Sequence, residues 1–453
     1  MGIKKTYGDF LKWGVCTAIL GSSLMASTVF ATSDWDAEDD YTAVWTRQQA
    51  ENVALTKDTT APLLETDEDF ELVAPDKWVW DTWPLQNRDG SLAQVNGYTI
   101  AFALVAPRDL GWGERHTEAR IGMFYSKDGK DWTYAGIPYD YDKAYGHMQW
   151  AGSAMLDKDG KVHFFYTATG RKDNSEYFDQ PGWEPMAEQR LAKTTFDISA
   201  DKDGVHLTKE DEHQIMLEAD GEYYETLGQW GSNGNIISAF RDPFFFQDPN
   251  TGEEYIIWEG QAGPKSNGLK PENIGDEAYR KNANVPDRAE LYNGNIGIAK
   301  VLDEDVSELK MLPPLLESIG VNHQLERPHV VVDGDTYYLL TISHTFTYAP
   351  GLTGPEGLYG FVNEGGLRGD YEPLNDGGLV IGNPAESPGQ AYSWWVAPDG
   401  QVISFINEPL DENGEVQFVG TFAPTLQLSF DGDQTKIEKE MGYGEIRPFG
   451  AYR

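Results

Sequence analysis

Three short runs hold the side chains best able to do chemistry: Trp80-Asp81-Thr82-Trp83, Arg241-Asp242-Pro243 and Leu325-Glu326-Arg327-Pro328. Two comparable runs, Gln149-Trp150-Ala151-Gly152-Ser153 and Tyr392-Ser393-Trp394-Trp395, carry aromatic, amide and hydroxyl groups without an acid. Three carboxylates brought together suit glycosyl transfer. One acts as nucleophile and one protonates the leaving oxygen, about 5–5.5 Å apart in retaining enzymes. Burial and mutual repulsion are expected to raise the pKa of the acid while the nucleophile stays ionised. A third carboxylate can stabilise positive character on the sugar. The guanidinium forks of Arg241 and Arg327 can hold sugar hydroxyls or orient the acids. For an isolated Arg-Asp or Glu-Arg dipeptide, a structural ion pair is the competing reading. Repeated placement is what favours chemistry.

That placement comes from a recurring strand phrase. An apolar run, a turn dipeptide ending in Gly, and a second aromatic or β-branched run occur around Asn96-Gly97, Asp159-Gly160, Thr251-Gly252, Asp333-Gly334 and Asp399-Gly400. The dipeptides are hairpin signals. Their glycines are spaced by 63, 92, 82 and 66 residues, too long for one hairpin and suited to a four-stranded sheet with insertions. The pattern predicts an all-β, five-bladed propeller, with a β-sandwich of accidental hairpins as the alternative. The chemical runs lie eight to sixteen residues before the turn glycines. In a propeller, equivalent positions converge at one end of a central funnel, which would bring Asp81, Asp242 and Glu326 face to face. One helix is expected around Thr46 to Leu55, and no Pro- or Ser-rich linker divides residues 32–453, which read as a single catalytic domain.

Composition narrows the partners. The 453 residues include 74 acidic and 35 basic side chains, a formal charge of −39. Such a surface repels phosphate backbones and anionic membranes, so neither nucleic acid nor membrane is expected as a partner. With 40% hydrophobic and 13% aromatic residues, wholesale disorder is excluded. The charge fits an acidic, halophilic surface screened by salt. Residues 1–31 read as a secretory signal: Lys4, Lys5 and Lys12 precede an uncharged stretch from Trp13 to Ala31 that ends in Val29-Phe30-Ala31. A membrane anchor is the alternative. Cleavage would place the protein outside the cell or in a periplasm. It would remove three lysines and Asp9, taking the charge from −39 to −41. It would also remove Cys16, the only cysteine, leaving no disulfide and no thiolate ligand.

The phrases Val79-Trp80-Asp81-Thr82-Trp83-Pro84-Leu85-Gln86, Trp150-Ala151-Gly152-Ser153-Ala154, Phe240-Arg241-Asp242-Pro243 and Glu326-Arg327-Pro328 resemble, in order, motifs of the levansucrases and related secreted fructosyltransferases, glycoside hydrolase family 68. The resemblance runs from about Trp45 to the C-terminus and implies a five-bladed propeller. It implies that Asp81 attacks the anomeric carbon of a fructosyl unit, and that Glu326 protonates the glucosyl oxygen and then activates the acceptor. It implies that Asp242 stabilises the transition state. Trp80, Trp150, Arg241, Gln324, Arg327, His344 and Tyr392 would shape the sucrose pocket. The implied partners are sucrose and fructan or fructo-oligosaccharide acceptors, with no cofactor, for a chain expected to be a monomer.

Three departures from that pattern carry expectations. Ala151 stands where many relatives have a serine touching the nucleophile, so a hydrogen bond to Asp81 should be missing. His323-Gln324-Leu325 lacks the acidic residue that contributes to a calcium site in Gram-positive relatives, so no metal is expected. His344 falls at the place of an acceptor-site arginine, with an ordinary surface histidine as the alternative. A mainly hydrolytic β-fructofuranosidase of the same family, a non-catalytic sugar-binding propeller and another five-bladed glycosidase such as an arabinanase are the competing functions.

Overall fold

The apolar runs flanking the turn glycines are strands in the computed structural model, which describes residues 41–65, 70–170, 188–233, 238–266 and 268–448. The expected signal at 1–31 lies outside the described residues. Five sheets of mainly antiparallel strands follow one another along the chain, as the strand phrase predicts. Their innermost strands are Lys77–Asn87, Met148–Leu156, Arg241–Gln247, Glu326–Asp333 and Ala391–Val396. Each pairs with the strand beyond its turn glycine: Tyr98–Pro107, Lys161–Thr169, Glu254–Gln261, Thr336–Ser343 and Gln401–Ile406. The first two blades share one hydrogen-bonded sheet, because Leu85–Asn87 runs parallel to Ala154–Leu156. At Asn96-Gly97 both residues take positive φ, 51° and 79°, the geometry a mirror-image hairpin turn requires.

The chain ahead of the first blade ties others together. Ala43–Val44 adds a parallel edge to Leu316–Glu317 of blade three. Trp45 is fully buried, with its ring 5.4–6.1 Å from those of Tyr348, Tyr359 and Phe361. The predicted helix is only Arg47–Ala50, begun by a Thr46/Gln49 capping box. Asn52 and Val53 end it by bonding three residues back. It is shorter than expected because the segment must turn to cross blade edges, pairing Thr60 with Gly382. All described residues fall within one compact unit, Trp35–Arg453. No helix among the described residues is long and apolar enough to cross a membrane.

The inner strands share a device that the sequence does not announce. Each is interrupted by a β-bulge near its start, between Trp80 and Trp83, Trp150 and Gly152, Arg241 and Phe244, Glu326 and His329, and Tyr392 and Trp395. In four blades the first bulged residue is left-handed: Asp81 (φ 49°), Asp242 (62°), Arg327 (48°) and Ser393 (62°). Such conformations cost non-glycine residues of the order of 1 kcal/mol and concentrate at functional sites. In blade two the bulge is one residue shorter and closes on Gly152, where an added Cβ would lie 2.1 Å from the Phe165 carbonyl oxygen. Bulges re-aim side chains, and here they present two positions per blade to the funnel.

Candidate active site

The position just before each bulge holds Trp80, Trp150, Arg241, Glu326 and Tyr392, and the next holds Asp81, Ala151, Asp242, Arg327 and Ser393. Nine of these ten, together with Gln324 and His344, line one cavity of about 600 Å³. Every residue singled out in the sequence as catalytic or substrate-binding therefore reaches the same cavity. The register differs from expectation in one respect. Asp81 and Asp242 occupy equivalent positions, but Glu326 sits one position earlier, because Arg327 takes the aspartate position in blade four.

The arginines make their shortest contacts away from the acids beside them in sequence. Arg241 Nε lies 3.9 Å from Asp242 Oδ2, but 2.7 Å from Glu259 Oε2. Its Nη2 donates to Glu259 Oε1 at 3.1 Å and to Glu326 Oε1 at 3.0 Å. Arg241 thus bridges blades three and four and fixes the Glu326 carboxylate, and its pKa is raised by these acids against the effect of burial. Arg327 donates from Nη2 to the Thr82 carbonyl at 3.0 Å and from Nη1 to the Ser393 hydroxyl. Its backbone N–H donates to Asp242 Oδ2 at 3.2 Å. Of the two expectations for the guanidinium forks, orienting the acids is the one the geometry supports.

Burial raises the pKa of Asp81, with Arg327 opposing and Glu326 adding to the rise. Asp242 is pushed up to about 7, chiefly by burial, with Arg241 opposing and Glu326 and Asp81 adding. Burial would also raise Glu326, but His344, Arg241 and the Tyr392 hydroxyl outweigh it and its pKa is lowered. The expectation is therefore reversed: the pKa of Glu326, the expected acid, is lowered, whereas those of Asp81, the expected nucleophile, and Asp242 are raised. The reason is local: Tyr392 donates to Glu326 Oε2 at 2.5 Å and His344 Nε2 lies 3.7 Å from the same oxygen. The charges of these acids act on one another: Glu326 raises the pKa of Asp81, and both raise that of Asp242.

His344 is not a surface histidine. Its side chain is 24% exposed, its ring stacks on Tyr392 at 4.0 Å and 12°, and its Nδ1 is 2.7 Å from Glu356 Oε2. Burial works against its charge, but Glu356 and Glu326 raise its pKa. Glu356→Gln is expected to bring the His344 pKa down, because it removes the charged partner. An imidazole NMR titration would read this as a neutral ring at pH values where the parent ring is still charged. An unmoved His344 titration would show that Glu356 does not set its charge.

Ala151 does lack a hydroxyl, yet Asp81 is not without one: the Ser393 hydroxyl hydrogen-bonds to it. Thr167 Oγ1 donates to the Ala151 carbonyl at 2.9 Å and accepts from Asp242 N at 2.8 Å, tying blade two to blade three. His323 is buried, with Nε2 2.8 Å from Gln261 Nε2. Among the described residues, no group of three or more His, Cys, Asp or Glu is arranged to hold a metal ion. Four buried polar atoms of lining residues, Trp80 Nε1, Arg115 Nε, Trp230 Nε1 and Gln324 Oε1, have no hydrogen-bond partner among the described residues. Such atoms are suited to ligand hydroxyls.

Sequence reasoning missed Arg115, His116, Glu259 and Glu356. Arg115 and His116 come from the 3₁₀ turn Trp112–Glu118 and line the cavity. The Arg115 guanidinium lies over the Trp112 ring at 3.7 Å and near that of Trp80 at 5.4 Å, and burial brings its pKa down to about 10. The signal was the Trp-Gly-Glu-Arg-His run after an apolar strand. Glu259 was legible as a lone acid in the run Tyr255-Ile256-Ile257-Trp258-Glu259, since a charge on a central strand needs a partner.

A family model described as Levansucrase/Invertase matches residues 35–447. An extracellular sucrase of Zymomonas mobilis is 39% identical over 408 residues, covering 89% of this chain and 94% of that protein. A levansucrase of the same organism is 38% identical over 410 residues, covering 90% and 92%. A solved inulosucrase from Halalkalicoccus jeotgali bound to kestose superposes with a TM-score of 0.78 at 38% identity, covering 91% of this chain and 99% of that one.

Proposed function

This chain belongs to the levansucrase/invertase family, glycoside hydrolase family 68, and we propose that its funnel cleaves sucrose and passes the fructosyl unit to a sugar or to water. It is a levansucrase-type fructosyltransferase. The observation that carries the reading is the cluster of Asp81, Asp242 and Glu326 on three blades of one cavity, cross-braced by Arg241 and Arg327. Sucrose enters with its fructosyl ring against Asp81 and Asp242. An Asp81 oxygen attacks the anomeric carbon as the bond to the glucosyl oxygen breaks, and Glu326 gives that oxygen its proton. Glucose leaves, the acceptor or water attacks the fructosyl-enzyme, and Glu326 takes back a proton, so configuration is retained. Asp242 holds fructosyl hydroxyls and steadies positive charge on the ring.

Substrate binding shifts the cluster's proton from Asp242 to Glu326. Sugar hydroxyls donating to Asp242 favour its ionised form, while displacement of water raises Glu326. The alkaline limb of kcat/KM therefore reports the free cluster, where Asp242 sits at about 7, and the limb of kcat lies at higher pH because it reports the complex. Superimposable profiles would rule out the shift.

The deciding experiment incubates purified protein with concentrated sucrose across a salt series, comparing glucose with free fructose and using Glu326→Gln as control. Excess glucose over fructose, with a loss of roughly 10³-fold in the control, is expected. Equal release of both sugars would make the protein a β-fructofuranosidase, and no cleavage at any salt concentration would remove sucrose as substrate. Activity and stability rising with salt would support the halophilic reading of the −39 charge. The chain works outside the cell, after cleavage near Ala31.

A further inference from the structure

We infer that the exposed ring of Phe346 is a sugar-stacking face on the acceptor side of the site, and that it governs how much fructose is transferred rather than released to water. The inference rests on the proposed fructosyl transfer. Phe346 is 61% exposed, the most exposed large hydrophobic side chain among the described residues. Single exposed hydrophobics are ordinary, but this is the only one of those strongly exposed side chains that also lines the cavity.

Its position relative to the acid/base gives it meaning. The Phe346 ring stacks on His344 at 4.9 Å and 19°, and His344 stacks on Tyr392 at 4.0 Å and 12°. Tyr392 donates to Glu326 Oε2. Near-parallel rings thus run from open solvent to the carboxylate that must activate the incoming hydroxyl. Asp81 and Asp242 lie deep, so the fructosyl unit fills the bottom of the funnel. Leaving glucose and arriving acceptor must both use the mouth, where Phe346 stands.

The turn that carries the ring is also braced. Thr347 Oγ1 donates to the His344 carbonyl at 2.8 Å, Ser343 Oγ lies 3.0 Å from Thr347 Oγ1, and the Thr345 N–H reaches Glu356 Oε1 at 3.4 Å. A flat apolar face on a turn braced before binding costs little ordering when a sugar ring lies against it. Water gains nothing from such a face. Removing it should therefore penalise sugar acceptors selectively.

The test measures total glucose and free fructose at high sucrose, with added kestose as acceptor, for the parent, Phe346→Ala, Phe346→Leu and Phe346→Trp. Tyr443→Ala, at a 51% exposed tyrosine away from the cavity, is the control. In F346A and F346L the kestose concentration for half-maximal transfer should rise about tenfold, with a smaller loss in total glucose release. F346W should keep transfer near the parent level, and Y443A should match the parent. An unchanged transferred fraction in F346A overturns the inference. So does an equal fall in cleavage and transfer, which would mean that the ring only props His344. Failure of F346W to retain transfer, or an equal shift in Y443A, overturns it too. A parent that never releases glucose removes the sucrose reading itself, whereas a parent that cleaves beside an unaltered F346A removes this inference alone.

Discussion

Asp81→Asn should reduce glucose release from sucrose by roughly four to six powers of ten, the loss typical of deleting a nucleophile. The neutral amide cannot form the fructosyl-enzyme, and no other carboxylate occupies the same position in a neighbouring blade with the same access. Asp242 is equivalent in the fold, but its Oδ2 is engaged by the Arg327 N–H. Asn is the substitution to use because position 81 is left-handed, at φ 49°, which Asn tolerates far better than Ala. The variant should keep its far-ultraviolet circular dichroism and a cooperative thermal transition. A folded variant that retains more than about 1% of parental glucose release would remove Asp81 from the nucleophile role.

Asp242→Asn is expected to lose roughly 10³-fold in kcat yet to gain stability at alkaline pH. The carboxyl is pushed up to about 7 by burial. Its folded pKa is therefore raised above that of the unfolded chain. Ionising it in the folded state costs free energy as pH rises from the ordinary carboxyl range to about 7, and the full cost is present above that. An amide avoids the cost. Position 242 is also left-handed, at φ 62°, so the backbone accepts Asn. The melting temperature of the variant should exceed the parent's by roughly 2–5 °C at pH 8, and the gap should close toward pH 4. A gap that is absent at pH 8, or widest at pH 4, would show that the charge of Asp242 is already compensated in the folded state.

Much of the site was legible because chemistry concentrates in unusual local runs. Trp80-Asp81-Thr82-Trp83 and Phe240-Arg241-Asp242-Pro243 stand out against strands that are otherwise near-continuous apolar and aromatic runs, and the turn glycines put them in register. What stayed hidden depends on pairs distant in sequence. Glu259 reaches Arg241 across a hairpin and Glu326 across a blade boundary, and Glu356 reaches His344 over a loop. The replacement hydroxyl on Asp81 is the clearest case. Ala151 argued for a missing hydrogen bond, and only the closing of the propeller brings Ser393 from blade five to supply one.

The sequence by itself determined the number of blades, the acids facing the funnel and the secreted, acidic character expected of the chain. Those follow from composition, turn chemistry and strand period, all local properties. The tertiary structure decided in which direction the pKa of each of the three carboxylates moves. A carboxylic acid's pKa depends on burial and on charges within a few ångströms, and the bulges place Arg241, His344 and Tyr392 around Glu326 while leaving Asp242 the more costly to ionise. It also decided that Phe346, unremarked in the sequence, stands at the mouth on the stack that leads to Glu326. Ring stacking and exposure depend on which blades meet, and that is a property of the closed propeller rather than of any one segment.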